Sequence, residues 1–162
     1  MNVFDEILDW LLPTACALCA ASGAPICNSC RAGLEASHRI VNRDHLSGFA
    51  VAQYNHEFSM IFHSIKERGQ TSIIRFLAPA LALAITQNFS LERLSSLVLV
   101  PAPSSYGSFQ KRGFKPALAL AKRTAYEVRL LTGISLKVQE ALRLNRVVLD
   151  QASLGLHDRR NN

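Results

Sequence analysis

Several features that identify common classes of protein are missing from this sequence. No apolar run is long enough to span a bilayer: residues 76–85 form an apolar stretch, but it is short and contains Pro79. The first residues are apolar, but Asp5, Glu6 and Asp9 stand where a secretion signal needs positive charge. The sequence therefore predicts a cytoplasmic protein with no membrane span.

Catalytic constellations and stacking surfaces are also scarce. No arrangement of Ser, His and Asp, or of Cys and His, stands out as a nucleophilic site. Aromatic residues make up only 7% of the chain, and the basic final third contains only Phe109, Phe114 and Tyr126. The sequence therefore gives only a weak signal for stacking on nucleobases.

The positive charge is concentrated in the last third of the chain. Residues 108–162 contain 11 Lys or Arg and 4 Asp or Glu, whereas residues 1–107 contain 7 and 8. This asymmetry favours an anionic partner, either phosphate or nucleic acid, near the final third. The 162 residues are 49% hydrophobic and 19% charged, which indicates a globular chain of one ordinary domain with a small appendage.

The four cysteines form two Cys-x-x-Cys pairs, Cys16 with Cys19 and Cys27 with Cys30. Each pair brings two sulfurs to one side of a tight loop, and two pairs complete a closed tetrahedral zinc site. The alternatives are two disulfides or buried thiols, and the lack of a secretion signal disfavours disulfides. Four thiolates leave no open position, so the expected zinc is structural.

The remaining sequence alternates predicted helices with predicted strands. Helices are expected over residues 3–12, 57–68, 71–88 and from Phe114 to about 131, strands over 48–54, 97–100 and 134–142, and polar connections over 37–47 and 104–110. Gly69 is expected to end the second helix, and Pro79 to kink or divide the third. His38 and His45 fall in a polar connection and are expected to be solvated.

Residues 96–123 contain the clearest candidate for a ligand site in this sequence. Its apolar run at 97–100 is typical of a strand buried on both faces, and prolines follow it. Lys111 and Arg112 then stand beside Gly113, just before a helix with Pro116 in its first turn. Such a strand, basic turn and helix N-terminus favour a phosphate site at the carboxyl end of the strands. The alternative is an ordinary connection whose cations serve solubility.

Taken together, these motifs resemble the ComF/GntX family of phosphoribosyltransferase-like proteins. The resemblance rests on a leading helix ending in Leu12-Pro13, the two Cys-x-x-Cys pairs, Ile65-Lys66 with Gly69, Val100-Pro101-Ala102-Pro103, Arg112-Gly113-Phe114, Asp150-Gln151-x-x-Leu154, Arg159 and Asn162. It touches almost the whole chain and keeps the order of the family's motifs. It implies an α/β fold, with a small Cys₄ zinc ribbon in residues 1–47 and an incomplete type I phosphoribosyltransferase-like domain in residues 48–162.

The resemblance also implies sites and partners. The basic turn would bind the pyrophosphate of phosphoribosyl pyrophosphate through Lys111, Arg112, Gly113 and Phe114. A mobile loop or hood over the site would contain Arg143, Arg146 and Gln151. Members of the family are linked to DNA uptake during natural transformation or to the use of DNA as a nutrient. A phosphorylated small molecule is therefore an expected ligand, and single-stranded DNA and competence proteins are expected partners.

The sequence departs from the family's pattern at several positions. Lys115-Pro116 replaces the usual Asn-Gln, and Ser108 stands where an arginine is frequent. Type I phosphoribosyltransferases hold the ribose 5-phosphate with two adjacent acidic residues followed by a Thr-Thr-Gly loop, but Asp5-Glu6 is the only acidic pair here. In the family that motif follows the asparagine matching Asn162. The chain is therefore expected to be a truncated, catalytically incomplete form, with magnesium and phosphoribosyl pyrophosphate bound only by a full-length relative.

Two other functions are also consistent with this sequence. One is a non-enzymatic accessory protein whose zinc module and basic final third contact nucleic-acid phosphates. The other is a purely structural role, in which the zinc module is a docking site for helicase or uptake proteins.

Overall fold

The computed structural model describes residues 15–34, 39–43 and 46–145, which form a mixed α/β structure. The helices are α1 (Asn28–Ala32), α2 (His56–Glu67), α3 (Ile74–Asn88), α4 (Leu91–Ser96), α5 (Tyr106–Arg112) and α6 (Pro116–Thr132), with a 3₁₀ turn at Thr71–Ile73. The strands are β1 (Arg39–Arg43), β2 (Leu46–Ala50), β3 (Val98–Leu99) and β4 (Lys137–Val138). The expected α/β class is confirmed, and the helix expected over residues 3–12 lies outside the described residues. None of the helices in the described ranges has the length and apolarity needed to cross a membrane.

An antiparallel hairpin of β1 and β2 follows the cysteine segment, which comprises residues 15–34. Its register runs from Arg39 opposite Ala50 to Arg43 opposite Leu46. The prediction of a polar connection over residues 37–47 is therefore wrong. The β-branched residues of this segment favour the strand β1 although their neighbours are polar. The strand expected over residues 48–54 begins earlier and ends at Ala50. The expected domain boundary between residues 47 and 48 falls within β2 and stays a prediction, and His38 and His45 lie outside the described residues.

Helix α2 forms because a cap, an apolar spacing and a stop signal coincide. The Asn55 side-chain oxygen accepts a hydrogen bond from the Phe58 N–H at 3.0 Å. Phe58, Ile61 and Ile65 recur at helical spacing and are buried. Gly69 follows with a φ of +68°, the left-handed conformation that ends many helices. These features confirm the sequence expectation for this helix.

One apolar cluster joins the cysteine segment to the helices. Its buried members are Ala17, Ile26, Phe58, Ile61, Ile65, Ile73 and Ile74. Gln70 adds a polar connection, since its side-chain nitrogen donates to the Ala15 carbonyl at 2.8 Å and its oxygen accepts from the Ser64 hydroxyl. The cysteine segment therefore packs directly on α2 and the start of α3.

Helices α3 and α6 pack along each other, and a second apolar cluster, with Ala82, Val128 and Leu136 as its buried members, lies between them and the start of β4. Ala78 and Ala82 of α3 are fully buried, and their small side chains allow close approach of α6. On α6, the buried residues are Thr124 and Val128. Because Thr124 is polar, the spacing of apolar residues in the sequence did not indicate that this face of the helix is buried. Pro79 lies within α3, and α3 continues through it undivided.

The strands β3 and β4 pair in parallel and define one edge of the fold. Val98 pairs with Lys137, and the connection between the strands runs through α5 and α6 as a βαβ unit. The expected burial of β3 on both faces is wrong, because Val98 and Val100 are each 42% exposed. The strand expected over residues 134–142 is confined to Lys137–Val138. Since the strands are parallel, the segments following both lie at one edge.

Candidate metal centre and ligand cleft

The four cysteine sulfurs lie together, all within 4.8 Å of one another. Cys16 and Cys19 lie on the tight turn that is enclosed by the bridge between Ala15 and Ser22. Cys27 is the N-cap residue of α1, and Cys30 lies within that helix. A loop and a helix start therefore supply two sulfurs each, and the grouping expected from the Cys-x-x-Cys spacing is confirmed.

The geometry of the cluster suits a tetrahedral metal ion. A zinc–sulfur bond of about 2.3 Å places neighbouring sulfurs of a tetrahedron about 3.8 Å apart. The Cys19 and Cys27 sulfurs are 3.6 Å apart, and none of the four cysteines is in a disulfide. The backbone N–H of Cys27 also points at the Cys16 sulfur at 3.4 Å. The residues present therefore fit a four-coordinate ion.

The electrostatics of the cluster also favour a bound cation. Burial raises the pKa of Cys16, but hydrogen bonds from backbone groups of Cys27, Cys19 and Leu18 outweigh it and lower that pKa to about 6. Hydrogen bonds with the Cys27 and Cys19 side chains, together with burial, raise the pKa of Cys30 to about 12. Closely spaced thiols resist ionising together, and a cation among them removes that repulsion.

An open cleft of about 1160 Å³ lies at the carboxyl edge of β3 and β4. Residues 101–107, which follow β3, form one wall, and residues 142–145, which follow β4, form another. The first turn of α6 closes the floor through Lys115 and Leu118. This is the edge at which open α/β sheets collect their ligands.

Charged and aromatic groups line this cleft. The Lys115 Nζ lies 2.5 Å from the Glu140 Oε1 and 5.7 Å from the centre of the Phe109 ring. Arg143 also lines the cleft, so the structure brings one residue of the expected hood to this edge. Arg146 and Gln151, the other expected hood residues, lie outside the described residues.

The basic turn occupies a different position from Lys115. The Lys111 Nζ lies 2.9 Å from one carboxylate oxygen of Glu67 on α2, and an Arg112 guanidinium nitrogen lies 3.4 Å from the other. Gly113 ends α5 with a φ of +73°, and half-buried Phe114 packs against the cluster around α2. None of the four lines the cleft. Their expected role in pyrophosphate binding stays a prediction.

The polar loop expected over residues 104–110 is wrong, because α5 forms there. Ser105 begins the helix by accepting a hydrogen bond from the Ser108 N–H at 3.2 Å. Ser105 was the available sequence signal for a helix start, but the polar composition around it favoured the prediction of a loop. Sequence reasoning also missed Lys115 and Glu140 as cleft residues. The only signal for Lys115 was Pro116, whose place in the first turn of α6 makes Lys115 the N-cap residue.

Comparison of this chain with protein-family models, with curated proteins and with solved structures finds no match.

Proposed function

We propose that this chain is a ComF-type phosphoribosyltransferase-like protein that binds a phosphorylated ligand in the cleft at the carboxyl edge of β3 and β4. The observation that carries the proposal is the position of the cleft: two parallel strands end at it, and Lys115 and Arg143 line it. Lys115 stands at the start of the long helix α6, where the helix dipole adds to its positive potential and suits a phosphate group. Arg143 adds a second cation from the segment after β4.

The proposal also includes a structural zinc ion at the four cysteines. Zinc prefers a closed set of four thiolates, and such a site has no open position for a substrate. The sulfur cluster sits against the apolar cluster of α2 and α3, about which the fold is built. The zinc would therefore hold the N-terminal part of the fold in place, and the ligand would bind elsewhere.

Ligand binding, without transfer chemistry, is the function proposed for these residues. The resemblance associates transfer with an adjacent acidic pair, and residues 15–34, 39–43 and 46–145 contain none. Association with DNA uptake or with the use of DNA as a nutrient is part of the same proposal and follows from the resemblance alone.

Calorimetric titration of the full chain tests the cleft. Ribose 5-phosphate, pyrophosphate and phosphoribosyl pyrophosphate, each with and without magnesium, are the probes. We expect the phosphate ligands to bind, and Lys115→Ala to weaken their binding by at least about tenfold, since a charge-assisted hydrogen bond contributes about 1.5–3 kcal/mol. Lys122→Ala is the matched control, because Lys122 is exposed on the same helix and lies outside the cleft.

Three results would separate the alternatives. Absence of binding by every phosphate ligand would overturn the proposal. Equal weakening by Lys115→Ala and Lys122→Ala would indicate diffuse attraction to the basic final third. A steep loss of affinity for single-stranded DNA with added salt, equal in both variants, would support the nucleic-acid accessory function instead.

A further inference from the structure

A second cavity, of about 310 Å³, lies between α2, the start of α3 and the first turn of α6. Its walls are apolar and include Phe62, Ile65, Leu77 and Leu120. It shares no lining residue with the carboxyl-edge cleft, although the two flank the same turn of α6. Its volume falls at the lower end of the range of small-molecule sites, about 300–1,000 Å³.

Short side chains and a fixed aromatic pair shape this cavity. Pro116 and Ala117, at the start of α6, extend little toward α2 and leave the space between the helices open. Tyr54 stacks on Phe62 with ring centres 6.2 Å apart and planes inclined by 25°, and it remains 72% exposed. The aromatic pair therefore lines a cavity that solvent reaches, so a ligand has a route in.

The charge at the cavity is positive and belongs to Lys66. Lys66 is the only ionised side chain among the described residues that line it. Lys66 forms no ion pair within the described part of the chain, in contrast to Lys111 and Lys115. The positive end of the α6 dipole at Pro116 and Ala117 reinforces this ammonium group. The cavity therefore combines apolar walls with an unbalanced positive potential.

We propose that this cavity binds a small amphipathic monocarboxylate. The apolar body of the ligand packs against Phe62, Ile65 and Leu77, and its carboxylate lies beside the Lys66 ammonium. Removing apolar surface from water supplies most of the affinity, and the ion pair selects the anion over a neutral molecule of the same shape. This site is independent of the phosphate ligand proposed for the carboxyl-edge cleft.

Titration of the full chain with octanoate and with 1-octanol, followed by NMR or calorimetry, tests the proposal. We expect octanoate to saturate one site per chain and to bind about fivefold more tightly than 1-octanol, the difference that a partly exposed ion pair provides. Lys66→Gln should abolish this preference, and Lys66→Arg should retain it. Arg68→Gln is the matched control, because Arg68 is an exposed cation two residues away that does not line the cavity.

The location of the site is tested by Ala117→Leu, which places a larger side chain in the cavity. We expect it to weaken octanoate and 1-octanol alike by at least about tenfold. Unchanged affinity in a folded Ala117→Leu variant would overturn the proposal. So would equal affinity of the wild-type chain for the two ligands, or an octanoate preference that survives in Lys66→Gln. The Lys66 substitutions are at an exposed position, so the test stands even where Ala117→Leu does not fold.

Discussion

Ion pairs engage Lys111, Arg112 and Lys115, three of the cations in the basic final third. Lys111 and Arg112 face Glu67 of α2, and Lys115 faces Glu140 after β4. Each of these cations therefore has a carboxylate within 4 Å, and an incoming anion competes with that carboxylate. The positive potential at these positions is lower than the formal charge of the segment suggests.

The Glu67 pair predicts a pH dependence of stability. The hydrogen bond from Lys111 holds the pKa of the Glu67 carboxyl below its ordinary value of 4.5. Because the folded pKa is the lower one, ionised Glu67 stabilises the fold above its ordinary pKa, and this contribution is lost as the pH falls through the lowered value. We expect wild type to have a higher urea midpoint than Glu67→Gln at neutral pH, and the two midpoints to converge in acid.

Lys111→Ala provides the control for this prediction. In that background the pH-dependent part of the Glu67→Gln effect should shrink, because the principal partner of the carboxylate is gone. A midpoint difference that is the same at every pH would contradict the assignment.

At the scale of elements, capping residues decide where the helices begin and end. Asn55, Ser90 and Ser105 each accept a backbone hydrogen bond at a helix start. Gly113 and Gly133 take left-handed conformations at helix ends, with φ of +73° and +76°. These are local signals, so they act independently of the rest of the fold.

Two glycines of the α5 region make a matched pair for testing this. Gly113 ends α5 in the left-handed region, whereas Gly107 lies within α5, and an added Cβ would meet no atom within 4 Å at either position. We expect Gly113→Ala to lower the free energy of unfolding by about 1 kcal/mol, because a Cβ disfavours the left-handed conformation. Gly107→Ala should raise it by roughly 0.5 kcal/mol. Denaturant unfolding measures both, and the same sign for the two changes would contradict this account.

At the scale of the whole molecule, two separate apolar clusters stabilise different parts of the fold. The first joins Ala17 and Ile26 of the cysteine segment to α2 and α3. The second lies between α3, α6 and the strands, around Ala82 and Val128. Metal binding and folding are coupled where ligands belong to the fold, so the first cluster should also govern metal retention.

Ile61→Ala and Val128→Ala test this division, since both side chains are fully buried in different clusters. We expect Ile61→Ala to cost about 3 kcal/mol and Val128→Ala about 2 kcal/mol of unfolding free energy. The wild-type chain should contain about one zinc ion, as a closed Cys₄ site requires. Under conditions in which both variants are folded, only Ile61→Ala should release zinc to a chelator faster than wild type. Equal release rates would show that the cysteine segment holds its metal independently of the first cluster.

The sequence by itself determined the features that depend on local spacing. Two Cys-x-x-Cys pairs were sufficient to predict the four-sulfur cluster, because each short loop places its own two sulfurs together. The extents of α2 and α6 also followed closely from apolar periodicity, from the glycine after α2 and from the first-turn proline of α6, although α6 begins at Pro116 and not at Phe114. In each case the decisive interactions join residues a few positions apart.

Only the tertiary structure decided which cations reach the cleft and how the strands pair. Lys111 and Glu67 are 44 positions apart, so their ion pair depends on how α2 and α5 are placed against each other. Likewise, the cleft exists because β3 and β4 pair in parallel across an intervening helical crossover. Packing of distant segments selects these contacts, and no local pattern specifies them. For that reason Lys115 and Arg143 line the carboxyl edge, while Lys111 and Arg112 face α2.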